Sequence, residues 1–369
     1  MMTCRNELFV ATDGDISHLH NSYKDRNPYY GDLHDHCADG LRKEDGSYFS
    51  DGKREIKDWL PAMDALKMDF QTFLNHKQVY HMYLPQWDDT RFIGGTEPAT
   101  KILDSKAQDA NIHYNLITPD AYSLEQVLMA VEKYNYTGGR DGLPVNMGRF
   151  DYVKFTLAEF QAIIADLKSK GGMFVHPHPK QVMVSDDPLD YWFADYTGIE
   201  VFYEYRDSQN TKDNYKLWTD LLALGKRVWA TAGCDLHNMP NGLTPTTVYA
   251  QQCKWPVLVS HLAKGDLVCG GVGIRMTVGD TLMGGHTEFA GKRVVLSVGD
   301  FHASLAFADH TYRCDIITDS GVVYSAPITT DMNYFAFDAD ENARFYRVEI
   351  HDEMENYTLI AIGNPIWND

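Results

Sequence analysis

None of the six cysteines pairs as CxxC; Cys4, Cys37, Cys234, Cys253, Cys269 and Cys314 are scattered along 369 residues. A thiolate zinc ribbon is therefore not expected, and the pattern fits reduced, buried thiols in a reducing compartment. Positive charge is scarce. Lys and Arg number 33 against 52 Asp and Glu, a formal net charge of −19. No nucleic-acid partner is expected, because a phosphate backbone is held by basic side chains. No run approaches the ~18 apolar residues of a membrane span, and Met1–Asp15 lacks a basic start followed by an apolar stretch. The expectation is a soluble, cytoplasmic protein with no membrane partner. P-loop and GxGxxG fingerprints are missing, as are repeats and low-complexity tracts.

What is there is an ordinary globular composition, 44% hydrophobic and 23% charged, long enough for two domains. Residues 1–30 show no clear period. Ile56, Trp59, Leu60, Met63 and Leu66 recur at helical spacing, with Asp51 as a cap and Pro61 as a break or kink. Strands are expected at Asp69–Leu74, Phe92–Glu97, Asn111–Ile117, Gly171–Val175, Gly198–Tyr203 and Arg227–Thr231. Helices are expected after Pro98, from Ser123, from Thr156 to about Lys170 behind the capping box Thr156–Glu159, and from about Asn214 to Leu224. Residues 136–153 read as a long loop. This alternation predicts a parallel α/β architecture, in which functional side chains gather at the C-terminal ends of strands. After about Gly265 helical periodicity fades into strand-like runs broken by turns such as Ala290-Gly-Lys and Asp319-Ser-Gly. That predicts an α/β unit at 1–265 and a small all-β sandwich at 266–369.

Gly31–Gly40 organises the chemistry. It holds His34, His36 and Asp39, and in a strand residues two apart share a face. The two imidazoles can meet one metal ion, with Asp39 as a hard oxygen ligand. A lone HxH is weak evidence, and His18-Leu19-His20 is another. The other strand ends add His76, Glu97, His113, His178, Asp235 and His237. Read singly, His76 is a hydrogen-bonded structural histidine, Glu97 a helix cap, His113 a core residue and Asp235 a turn residue. Read together, imidazoles alternating with carboxylates are what a multinuclear metal centre needs: carboxylates offset charge and bridge cations, and imidazoles leave positions open for water and substrate.

The same residues carry a resemblance. Gly31–Gly40 resembles the DLHxH…DG opening of the PHP (polymerase and histidinol phosphatase) superfamily. Leu74-Asn-His76 resembles its TDH motif, Gly95-Thr-Glu97 its bridging-glutamate motif, and Gly171–Pro179 its GG…AHP motif with His178 in register and His176 one alternation away. Gly198-Ile-Glu-Val201 and Gly233-Cys-Asp235-Leu-His237 resemble its GIEV and GSDAH motifs. The tail Arg347-Val-Glu…Asn364-Pro-Ile-Trp367 resembles the end of the CehA/McbA-like subgroup, which carries a β-domain after the barrel. The resemblance implies a distorted (β/α)7 barrel with two or three divalent ions, Zn, Mn or Fe. One would take His34, His36, Glu97 and Asp235; a second Glu97, His113 and His178; a third His76, His237 and Asp39. Asp39 follows His36 more closely than is usual, and Asn75 stands where an aspartate is usual.

The function so implied is metal-dependent hydrolysis of a small phosphorylated substrate, a phosphoesterase in which the metals lower the pKa of a bridging water toward ~7. Glu97, Asp235 and His178 are its expected catalytic residues. Arg206 is expected to contact substrate, and His81, with Tyr83 and Trp87, to line the pocket. The alternatives are hydrolysis of a carboxyl ester or carbamate on the same centre, and an inactive barrel serving as a binding module. The sequence leaves the oligomeric state open.

Overall fold

The computed structural model describes residues 10–40, 45–47, 50–105, 110–136, 153–238, 244–305, 310–328 and 332–369. Seven strands position the site: β1 (Asn27–Asp35), β2 (Phe70–Phe73), β3 (Phe92–Thr96), β4 (Asn115–Ile117), β5 (Met173–His176), β6 (Thr197–Tyr203) and β7 (Val228–Gly233). They hydrogen-bond in that order. The β1–β2, β2–β3, β5–β6 and β6–β7 pairs are parallel, as alternation predicts. β4 departs from it, running antiparallel to both β3 and β5.

β1 is bonded antiparallel to β8 (Thr246–Ala250) over Asn27–Gly31. Beyond that stretch it meets the residues following β7. Asp35 bridges to Leu236, the His36 amide donates to Leu236 O at 3.0 Å, and the Asp235 amide donates to His34 O at 2.6 Å. The first and last of the seven strands thus come together at one end, the end where the histidines lie.

The helices follow their sequence signals with informative exceptions. Thr156 and Glu159 form the expected capping box over Leu157–Ser169. Pro61 stays inside the helix Ile56–Leu66, although a proline there removes a backbone hydrogen bond at a cost of about 3 kcal/mol. Burial of Ile56, Trp59 and Met63 against Cys37, Phe73 and Phe92 offsets that cost. The helix expected from about Asn214 begins earlier, at Gln209, because Ser208 caps it through the Thr211 amide. No helix follows Pro98 among the described residues; Ala99–Thr100 instead pairs with Ile112–His113, so the strand expected over Asn111–Ile117 breaks at Tyr114. The helices Asp13–Ser22 and Trp255–Leu262 were not expected. The loop expected at 136–153 falls almost wholly outside the described residues.

Among the described residues no α-helix occurs after Leu262. β9 (Val268–Gly270) joins β8 to β16 (Thr358–Trp367), so one sheet continues through β12 (Tyr312–Thr318), β13 (Gly321–Ile328) and β15 (Phe345–Asp352). A separate antiparallel sheet contains β10 (Gly273–Val278), β11 (Arg293–Gly299) and β14 (Asn333–Asp338). Ile274, Leu296 and Phe337 of that sheet share a core with Ile316, Val348 and Ile360 of the larger one. No described helix is long and apolar enough to cross a membrane.

Candidate metal centre

Strand direction explains how residues far apart in sequence converge. His34 lies at the end of β1 and His36 just after it, Glu97 follows β3, His178 follows β5, and Asp235 and His237 follow β7. β4 runs the other way, so it presents its beginning at this end, which brings His113 in just ahead of it. His76 follows β2. Two site residues have left-handed backbones, His178 at φ 28° and Asp235 at φ 50°. Each costs roughly 1–3 kcal/mol for a residue with a Cβ, a strain that concentrates at functional sites.

Glu97 stands at the centre, 1% exposed. Its Oε2 lies 3.1 Å from Nε2 of both His34 and His36, and its Oε1 lies 2.9 Å from His113 Nδ1 and 3.1 Å from His178 Nε2. Asp235 Oδ1 lies 3.0 Å from His36 Nε2 and 3.6 Å from His34 Nε2. Yet His34 Nε2, His36 Nε2, Glu97 Oε2 and Asp235 Oδ1 are buried without a hydrogen-bond partner. They are close without hydrogen-bond geometry, and the ligand atoms of these four residues all lie within 4.8 Å of one another. Nitrogen and oxygen ligands ~2.0–2.2 Å from one ion sit roughly 3–3.5 Å apart, which is the spacing found. Burying four such atoms costs free energy unless something pairs them, so the set fits a divalent cation.

A second group adjoins it. Ligand atoms of His36, Asp51, His76 and His237 lie within 4.8 Å of one another, as do those of His76, Glu97 and His113. Asp51 Oδ2 is 3.0 Å from His237 Nε2 and 3.3 Å from His76 Nε2. His76 Nδ1 donates to Glu97 O at 2.7 Å, and His237 Nδ1 to Asp235 O at 2.9 Å. Carbonyls only accept, so Nδ1 carries the proton in each and Nε2 is left to bind.

Electrostatics agree. Burial alone would raise the Glu97 carboxyl, but the imidazoles of His34, His113 and His178 outweigh it and hold it well below its usual range. Burial opposes the charged form of His34, yet Glu97, Glu200 and Asp235 push its pKa well up. His76 is raised to about 9, burial being overcome by its bond to Asp51. The His237 pKa is raised chiefly by the same Asp51 carboxylate. No Lys or Arg pairs with Glu97, Asp235 or Asp51 among the described residues; the positive charge these carboxylates call for comes from protons or from metal.

The structure brings together His34, His36, His76, Glu97, His113, His178, Asp235 and His237. Asp39 is not brought in. Its Oδ2 accepts the Ile56 amide at the start of the helix Ile56–Leu66 and its Oδ1 accepts Gln86 Nε2 at 2.9 Å, so it is the cap that Asp51 was expected to be. Asp51 stands with the histidines instead. Asn75 donates to Asp39 O and accepts the Cys37 amide, both at 3.0 Å. An aspartate could not do both, so the departure at this position fastens the loop after His36.

His176 points away from the cluster, its Nδ1 3.2 Å from Tyr191 O, and burial pushes its pKa down to about 3. His81 is likewise a core imidazole rather than a pocket wall. It is fully buried, 3.2 Å from Phe73 O, packed on Trp87 and pushed down to about 3 by burial. Arg206 lies outside the cluster, in a cavity of about 420 Å³ that it shares with Tyr205, His302 and Glu355.

No family model matches the chain, and no curated protein sequence matches it. The solved structures that show likeness include two matched over most of their own length. One is a two-domain protein from Bacteroides vulgatus containing a predicted PHP-like metal-dependent phosphoesterase, 14% identical with a TM-score of 0.39 over 95% of each chain. The other is an amidohydrolase from Chromobacterium violaceum with bound sulfate and no metal, 14% identical with a TM-score of 0.37 over 58% of this chain and 89% of that one.

Proposed function

We propose that this chain is a metal-dependent hydrolase and, more narrowly, a phosphoesterase holding two or three divalent ions of the Zn, Mn or Fe kind. The observation that carries the reading is the set of four buried, unpartnered ligand atoms on His34, His36, Glu97 and Asp235, residues whose ligand atoms lie within 4.8 Å of one another. Glu97 offers one oxygen to that point and the other to His113 and His178, so it is placed to bridge two cations. A further position would be held by His76, His237 and Asp51, with His36 between the two groups.

When bound, such ions lower the pKa of water and stabilise developing negative charge. The chain's own part is to hold the cage. Glu97 and Asp235 keep their charge while buried, and carbonyl partners at Nδ1 fix which nitrogen of His76 and His237 is turned toward Asp51. His237, His76 and His113 are the more open of the imidazoles, which marks the side from which substrate would arrive. Phosphoester is preferred because the PHP-like motif order carries most of these ligands. The strand run meeting itself beside Asp35 supports the distorted (β/α)7 barrel, and the loss of helices after Leu262 supports a boundary near 265 with an all-β sandwich beyond it.

A screen of metal-loaded protein against phosphomonoesters and carboxyl esters tests this. Phosphomonoester turnover abolished by chelation is expected. Metal-dependent turnover of carboxyl esters alone would replace the narrower reading, and no turnover on either would sink the hydrolase reading.

A further inference from the structure

We infer that β6 is the positioning strand of the metal centre: Glu200 and Tyr203 supply no ligand, yet between them they fix His34, His178 and Asp235. The inference rests on the metal-centre reading above. Glu200 is 1% exposed and uses both oxygens. Oε1 accepts from His34 Nδ1 at 3.0 Å, which turns the free Nε2 toward Glu97 and Asp235. Oε2 accepts the His178 amide at 2.8 Å, pinning the backbone of a residue held at φ 28°. Tyr203 donates its hydroxyl to Asp235 Oδ2 at 3.1 Å and packs its ring 5.3 Å from that of His178. Asp235 Oδ1, the unpartnered atom, is thereby left facing His36.

Residues three apart on a regular strand point to opposite faces. Here both point to the site, because the pairing with β7 slips between Glu200 and Phe202, leaving Val201 as an extra residue. Such a bulge re-aims the side chain that follows it. Space for the arrangement comes from Gly233 on β7: a Cβ there would lie 2.2 Å from Glu200 Oε1 and 2.6 Å from His34 Cβ. The bulge, the small residue opposite and the two-acceptor side chain agree on one purpose. Partners of metal-bound imidazoles fix ring orientation, and removing them typically weakens metal binding about 10–100-fold.

The test uses the full chain and Zn²⁺ in competition with a chromophoric chelator. In Glu200→Gln one acceptor becomes an NH2 group facing a donor, so one of the two hydrogen bonds is lost. Zn²⁺ affinity is expected to fall about 10–100-fold, and ¹⁵N spectra of the His34 ring are expected to show its single tautomer lost. Tyr203→Phe, which removes one hydroxyl, is expected to weaken Zn²⁺ several-fold with no change in fold, and it decides the matter if Glu200→Gln does not fold. A purely structural role would lower the melting temperature and leave affinity and tautomer alone. Affinities within twofold of wild type in both variants would overturn the inference while leaving the metal centre standing. Failure of the wild-type chain to take up Zn²⁺ would overturn both.

Discussion

Two of the buried clusters of histidine and carboxylate among the described residues are built oppositely. The one in the β-rich half carries its own cation. Arg347 pairs with Glu349 and lies 5.0 Å from the Trp218 ring; Tyr215 donates to Glu349 Oε1 at 2.5 Å, and His351 Nε2 lies 3.1 Å from Oε2. Asp315 accepts from Ser325 and Tyr357, both at 2.6 Å. Burial would raise the Glu349 carboxyl, but Arg347 outweighs it and the pKa falls to about 2. A permanent cation and a partner for each carboxylate oxygen make a structural network. The cluster around Glu97 has more imidazoles, no guanidinium, and its central atoms unpaired. A network that carries its own countercharge holds the fold; one that lacks it holds a place for a cation.

The comparison breaks first at Glu97. Glu97→Gln keeps the volume and removes the charge that two cations would share. Metal content should drop by at least one ion, and turnover by orders of magnitude, with the circular-dichroism spectrum kept. If Glu97 served only as a hydrogen-bonded buried carboxylate, Gln would leave metal content and turnover near wild type.

Arg347→Met should do the reverse. Leaving Glu349 buried without its cation costs roughly 3–5 kcal/mol, read in urea unfolding, while the metal bound per folded chain stays unchanged. A loss of metal without a loss of stability would mean the two clusters have been assigned the wrong way round.

Protons sharpen the contrast. His76 is raised from 6.5 to about 9 in the folded, metal-free chain. Its contribution to stability is full below about pH 6.5 and is lost as pH rises through about 9. Metal ligands must shed those protons, so metal binds better over the same interval. The rise in melting temperature on adding Zn²⁺ should therefore grow from pH 6.5 to 9, and a flat difference would contradict the shared use of His76.

The smallest effects separate two aspartates. Asp51→Asn should reduce metal content at the His76–His237 position and, in the metal-free chain, weaken the pH dependence of stability that His76 contributes. Asp39→Asn should leave metal content alone and cost about 1 kcal/mol, the worth of a helix cap. The opposite pattern would restore Asp39 as the ligand.

That exchange shows where sequence reasoning stopped. His34, His36, Glu97, His178, Asp235 and His237 were readable because each sits at or just after a strand, where periodicity fixes both direction and face. Asp51 lies in a polar loop whose path is set by tertiary contacts, and nothing local distinguishes it from a cap. The reversal of β4 was hidden because a strand of three residues, Asn115–Ile117, carries no pattern that tells one direction from the other. The slip at Val201 was hidden because a bulge leaves no period to count. The helix Asp13–Ser22 did have a signal, the Thr12–Asp15 capping box; Trp255–Leu262 is too short to show a period.

The most direct test of the central claim is metal stoichiometry: elemental analysis of the purified full chain after reconstitution with Zn, Mn or Fe. The cage around Glu97 predicts at least two ions per chain. Fewer than one, with the protein folded, would mean that the unpaired atoms of His34, His36, Glu97 and Asp235 hold no cation and that the hydrolase reading is wrong.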